Sequence, residues 1–293
     1  MFILYFLLFV SVLTDTLRQI YNDHFGKNVL ITTGDALLFN FVCGVGSVVL
    51  FLCCAPFSKA PVFVISSFSM ILALIFGAVT AIAQYLAIMA MATGPMSYSV
   101  LFTYLGSVIP TVFGILWFRQ SVTVCQIIGS LLMLVTFFLG LDLKREKNVS
   151  GKWVVFAVGC FFFWGFVGIC QVLHQSSEHA EELIGFLLWT FIFMTAIFAG
   201  LYLFTPRKTE DGYRIRSKAT IPVLLSGLVI GAVNLINLDL SGKLPSVIFF
   251  PIVNGGVIVL SILASVLFLH EKLDAKKLIG LTAGLVSVIL LGF

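Results

Sequence analysis

The residues able to do chemistry in this chain are few, and most are amides. Asn234, Asn237 and Asp239 sit close together in one apolar run, and Asn254 opens an Asn-Gly-Gly triplet three positions after Pro251 in the next. An amide offers a solute both a carbonyl acceptor and an NH2 donor, but it neither carries protons nor attacks carbon. Proline and paired glycines free backbone groups in a helix, so a broken ninth span is expected to add dipole ends to the same surface. The alternative is a kink, with asparagine bonding a neighbouring helix. Gln84, Tyr98 and Tyr104 lie in earlier apolar runs, and Trp164 is followed two turns on by Gln171 and His174. Tyrosine and tryptophan supply a stacking face with a polar tip, although Tyr98 also fits an interfacial anchor. Substrate contact is therefore assigned to Asn234, Asn237, Asn254, Gln84, Tyr98, Tyr104 and Trp164.

Charged groups inside the apolar runs carry a second function. Asp15 and Arg18 are spaced i, i+3, and Asp239 stands four residues before Lys243. Each spacing makes an ion pair across one helical turn. Such a pair is either structural or a gate that opens when a solute competes for one partner, so coupling or gating is assigned to Asp15, Arg18 and Asp239. Proton coupling needs a carboxylate within the membrane, and Asp15, Asp35 and Asp239 supply the choice.

Other chemistries lack their residues. His174 and His179, with Glu178 between them, share only one helical register and no third ligand cluster accompanies them, so no metal and no cofactor is expected. Cys43, Cys53, Cys54, Cys125, Cys160 and Cys170 all lie in apolar runs without CxxC spacing and read as packing residues. No GxxxxGK[ST] loop is present, which leaves no ATPase motor. A formal charge of +4 scattered along the chain does not indicate nucleic acid.

The elements that position these residues follow from composition. The 293 residues are 60% apolar and only 10% charged, with a mean hydropathy of +1.13. Soluble domains run near 45–50% apolar and about 25% charged, so a water-soluble globule is excluded. Spans are expected at about 2–22, 32–54, 66–92, 95–118, 121–141, 152–175, 182–204, 220–241, 246–269 and 274–292. Helices are required because a span in lipid must satisfy its own backbone. The N-terminus enters apolar sequence at once and reads as a first span, not a removable signal.

A shift of 151 residues lays Gln120 on Glu271, Ile128-Gly129 on Ile279-Gly280 and Leu134-Val135 on Leu285-Val286. Residues 1–141 and 152–293 then form two repeats of five spans. An odd span number inverts the second, giving an all-α membrane protein of ten transmembrane helices with its site between the halves. Leu244-Pro245-Ser246-Val247-Ile248-Phe249-Phe250-Pro251-Ile252-Val253-Asn254-Gly255-Gly256, then Leu269-His270-Glu271-Lys272-Leu273 and Gly280, resembles the EamA-type drug/metabolite transporters. The resemblance implies ten helices, alternating access and a small-metabolite cargo. The first half departs from it at Gln120, where the family usually carries glutamate. Glu271 is read as a turn-capping or ion-pairing residue.

Odd-numbered connections hold 14 of the 17 Lys and Arg and even-numbered ones only Lys59, Arg119 and Lys243. The positive-inside rule places the odd connections in the cytoplasm and both termini outside, whereas the resemblance implies cytoplasmic termini. The expected function is a secondary transporter for a small polar or amphipathic metabolite, an amino acid being one instance, working as exchanger or proton-coupled carrier. A drug or lipid-precursor exporter is the alternative in the same class, and a membrane scaffold or intramembrane enzyme lies outside it. No catalytic residue is assigned. The partners are the small-molecule substrate and the lipid bilayer, in a bacterial plasma membrane, as monomer or homodimer.

Overall fold

The computed structural model describes residues 2–28, 33–93, 96–139, 151–205, 217–268 and 275–293. Every regular element among them is helical. In order they are α1 (Phe2–Asn28), α2 (Thr33–Cys54), α3 (Ser67–Thr93), α4 (Met96–Leu105), α5 (Val108–Trp117), α6 (Val124–Leu139), α7 (Gly151–Gln175), α8 (Leu183–Phe204), α9 (Ser217–Lys243), α10 (Ser246–Phe268) and α11 (Ala275–Leu291). Because α4 and α5 are two pieces of one span, these make ten. Five stretches (34–57, 67–90, 151–175, 180–204 and 221–243) are long and apolar enough to cross a membrane, and shorter apolar helices cover 102–117, 124–136, 246–260 and 278–291. Large apolar side chains such as Leu116, Val155, Leu203 and Phe204 stand exposed on the outer face, which suits a hydrocarbon surround.

The break expected in the ninth span lies instead in the fourth. Pro110 has no N–H to give the Gly106 carbonyl, which accepts from Ile109 N at 3.1 Å in a tighter turn. Ser107 doubles back on Tyr104 O through its N at 3.1 Å and its Oγ at 2.7 Å. By contrast α10 runs unbroken through Pro251. The carbonyl that Pro251 cannot bond is that of Val247, and Ser130 Oγ on α6 donates to it at 3.4 Å. Gly255 and Gly256 are close-approach positions: a Cβ at Gly255 would lie 2.0 Å from Met133 Sδ, and one at Gly256 would lie 2.9 Å from Val12 Cγ1. Packing explains those glycines better than chain breakage does.

The helices pair in a pattern that repeats when each span is advanced by five. α2 packs on α9 as α8 packs on α3, α1 on α9 as α7 on α3, and α1 on α10 as α7 on α4 and α5. The pairs α2–α8 and α6–α11 join equivalent spans. The α2–α9 seam is close enough to bring backbones together, since a Cβ at Gly227 would fall 2.2 Å from Cys43 O and one at Gly46 would fall 2.4 Å from Leu224 O. Ser47 Oγ donates across it to Gly227 O at 2.7 Å. The largest apolar cluster joins α2, α3, α7, α8 and α9, with Phe76 stacked on Phe186 at 5.6 Å and Phe51 tilted on Phe191 at 5.3 Å. A second cluster gathers α10 with Leu8, Val172, Leu240 and Leu291. The first and second halves of the chain are thus interleaved.

Candidate functional site

Between the two clusters lies a cavity of about 310 Å³. Polar side chains reach it from both halves: Asp15 and Arg18 from α1, Asn40 from α2, Thr80 and Gln84 from α3, Tyr104 from α4. The second half adds Trp164 and Gln171 from α7, Asn234 and Asn237 from α9, and Asn254 from α10. Phe39, Phe76, Phe191, Phe249 and Phe250 supply the apolar part of the wall.

Helical spacing explains the clustering on the second half. Asn234 and Asn237 are i, i+3 and share one face of α9. The amides are oriented by their own helices. Nδ2 of Asn40 donates to Ala36 O, that of Asn234 to Ile230 O and that of Asn254 to Phe250 O, each at 2.9 Å. Only the NH2 end of an amide can serve a carbonyl, so in each case Oδ1 is the end left outside this bond. Asn237 is turned the other way, because its Oδ1 accepts from Ser11 Oγ on α1. Arg18 Nε donates to Asp15 Oδ1 at 2.6 Å, with the two side chains 17% and 9% exposed.

Two polar atoms of the lining residues are buried without a partner among the described residues, Trp164 Nε1 and Thr80 Oγ1. They belong together. Ser69 meets His174 at 3.4 Å, and a Cβ at Gly159 would lie 2.9 Å from Leu86 Cδ1. The antiparallel register of α3 on α7 therefore brings Thr80 level with Trp164.

Eight of the assigned residues thus face one cavity. Asp239 does not: it lies in the last two turns of α9 and is held by Lys243 Nζ at 2.6 Å, both side chains partly exposed. Asp35 is buried in the first turn of α2 and is not among the wall residues. Tyr98 belongs to α4, but its side chain lies outside the described residues, as does Glu271. Asn40 was overlooked in the sequence, although it is the sole amide in its span, and that isolation was the available signal.

The histidines serve elsewhere. His174 is buried and stacked on Phe186 at 3.9 Å, and its Nδ1 lies 3.1 Å from Gln175 Nε2. Glu182 accepts from Ser66 N at 3.0 Å and Ser66 Oγ at 2.8 Å, tying the short 3-10 turn Ala180–Glu182 to the start of α3. His179 rests on Phe68 beside Glu178 and Glu182. Among the described residues no three metal-ligating side chains converge.

The comparisons with known proteins agree with this architecture. A solved structure described only as "Crystal structure of protein" has a TM-score of 0.72 at 14% identity, covering 99% of this chain and 98% of that one. At that identity the likeness carries the fold, across both halves. No curated protein sequence matches the chain. Residues 151–293 match the model described as the EamA-like transporter family. Through that half, in an integral membrane protein of ten helices, the chain is similar to the EamA-like transporter family.

Proposed function

We propose that the chain is a secondary transporter, not an enzyme, which moves a small polar or amphipathic metabolite by alternating access. The observation that carries this reading is the cavity walled by amides from both halves. An amide facing hydrocarbon costs several kcal/mol, so a polar wall inside a membrane protein calls for a polar occupant. Asp15 is the only carboxylate on that wall among the described residues, and it is engaged by Arg18. Exchange needs no titrating group and is the simpler mode; proton coupling would have to pass through Asp15.

The interleaved packing bears on the moving parts. Rocking residues 1–141 rigidly against 152–293 would tear the α2–α9 and α3–α7 contacts. Two mixed bodies fit better, one of α2, α3, α8 and α9 and one of α4, α5, α6, α10 and α11, with α1 and α7 bridging them. The charge bias supports termini outside a bacterial plasma membrane.

Counterflow in proteoliposomes tests the proposal. Vesicles loaded with pooled unlabelled metabolites should take up one labelled member of the pool against no gradient of its own. Asn254→Leu should lose that uptake while keeping its yield and helical content. Full uptake in the variant would remove α10 from the site, and no counterflow for polar or amphipathic solutes would favour the scaffold reading.

A further inference from the structure

A second cavity, of about 180 Å³, opens on the outer face of the molecule between α5, α6 and α10. Val112 and Ile115 form one side, Leu131 and Leu134 the other, and Val247 and Pro251 the floor. Although α5 and α6 follow one another in the chain, they stand apart, and each rests on α10 instead. The equivalent consecutive spans of the second half, α10 and α11, pack directly on each other. Among the described residues the cleft is therefore a feature of the first half alone.

Its position and chemistry select the occupant. Val112, Ile127 and Leu131 at its lips are 45%, 49% and 58% exposed, so it opens onto the surround of a membrane protein, which is hydrocarbon. Three hydroxyls reach the cleft, and none has its proton free. Ser107 Oγ donates to Tyr104 O at 2.7 Å, Thr111 Oγ to Ser107 O at 2.8 Å and Ser130 Oγ to Val247 O at 3.4 Å. A water or a lipid headgroup would meet no free donor there, and apolar cavities of about 150 Å³ stay dry and take apolar guests. A hydrocarbon chain keeps its apolar surroundings on entering and covers walls that otherwise lack contacts on one side.

Ser107 ties the cleft to the rest of the molecule. It lies on the wall of the central cavity as well, where α4 gives way to α5 and the Gly106 carbonyl is left to a tighter turn. A chain in the cleft therefore bears on the break in the fourth span from the side opposite the cavity.

We propose that the α5–α6 cleft is a binding site for one acyl chain of a bilayer phospholipid, which fills the gap and splints the fourth-span break against α6. The site requires only the membrane setting, so it stands or falls apart from the transporter reading.

The test is photolabelling of the purified full-length protein in phosphatidylcholine nanodiscs. A small share of the lipid carries a diazirine at mid-chain, and the adducts are mapped by peptide mass spectrometry. Leu74 on α3 is the control: it is 49% exposed and stands as far from its helix start, on the same side of the membrane, as Leu131 does. Adducts at Val112, Leu131 and Leu134 should exceed those at Leu74 by about five-fold, the excess expected of a chain held on three sides rather than one. Labelling no higher than at Leu74 makes the contact ordinary boundary lipid and overturns the proposal. Phosphatidylcholine with the diazirine on its headgroup should leave the cleft unlabelled, and adducts from it there overturn the acyl assignment.

Thr111→Phe puts a ring into the cleft and should abolish the excess, whereas Thr111→Val keeps the space and should retain it. Val112→Phe takes the place of Thr111→Phe if that variant fails to fold. Adding phosphatidylcholine to delipidated protein in detergent should raise the melting temperature of the wild type saturably, by mass action, and that of the filled variant less. An equal rise in both, or an excess of adducts that survives the filling, overturns the proposal.

Discussion

A single amide shows how much one residue can organise here. Gln120 follows Arg119, a non-glycine residue at φ 50°, and that left-handed turn ends α5 where glycine is the usual choice. Its Oε1 accepts from Ser246 N at 2.9 Å, capping the start of α10. An anion is favoured at a helix N-terminus, so Gln120→Glu is expected to raise stability by about 0.5 kcal/mol. Gln120→Leu should lower it by about 1 kcal/mol, the worth of an N-cap, and thermal melting of the purified protein measures both. The cavity amides were legible in the sequence because polar groups in apolar runs are rare. Their orientation was not, since which end of an amide turns to the backbone depends on the local helix turn. Asp239 is a related case: spacing gives the pair with Lys243, and packing decides that the pair stands off the cavity wall.

At the scale of elements, the span boundaries were legible from hydropathy to within a few residues, while the fine geometry of the fourth and ninth spans was reversed. Both contain proline. Local sequence cannot say whether the freed carbonyl will be rescued by a neighbour, as Ser130 does for Val247, or by a tighter turn, as at Gly106. Ser130→Ala should therefore cost about 1 kcal/mol and loosen α10 near Pro251, read as faster amide exchange from Ile248 to Phe250. The α2–α9 seam is less forgiving. Gly227→Val would force a branched side chain into Cys43 O, and overpacking of this kind costs typically about 1–3 kcal/mol. Its melting temperature should fall well below that of Ser47→Ala, which loses only one interhelical hydrogen bond of about 0.6 kcal/mol.

For the whole molecule, the ten spans were legible in hydropathy, whereas the interleaving of the first and second halves of the chain was not, because it is a property of packing. The two-body picture makes one disulfide harmless. The Cβ of a residue at Gly231 would lie 3.4 Å from Ser47 Cβ within one body, close to the Cβ separation that a disulfide spans. With exposed Cys53 and Cys125 replaced by serine, oxidised Ser47→Cys/Gly231→Cys protein should keep counterflow. Interleaving also bears on biogenesis. While a ribosome is still producing α7, the glycine face of α2 has no α9 to meet and Gly44 has no Thr195 beside it. The first five spans must wait in the bilayer with their small-residue grooves open. Residues 1–141 expressed alone should be degraded rapidly, and co-expression with residues 152–293 should rescue both pieces: the two genes' worth of sequence can be made apart, but neither can finish folding without the other.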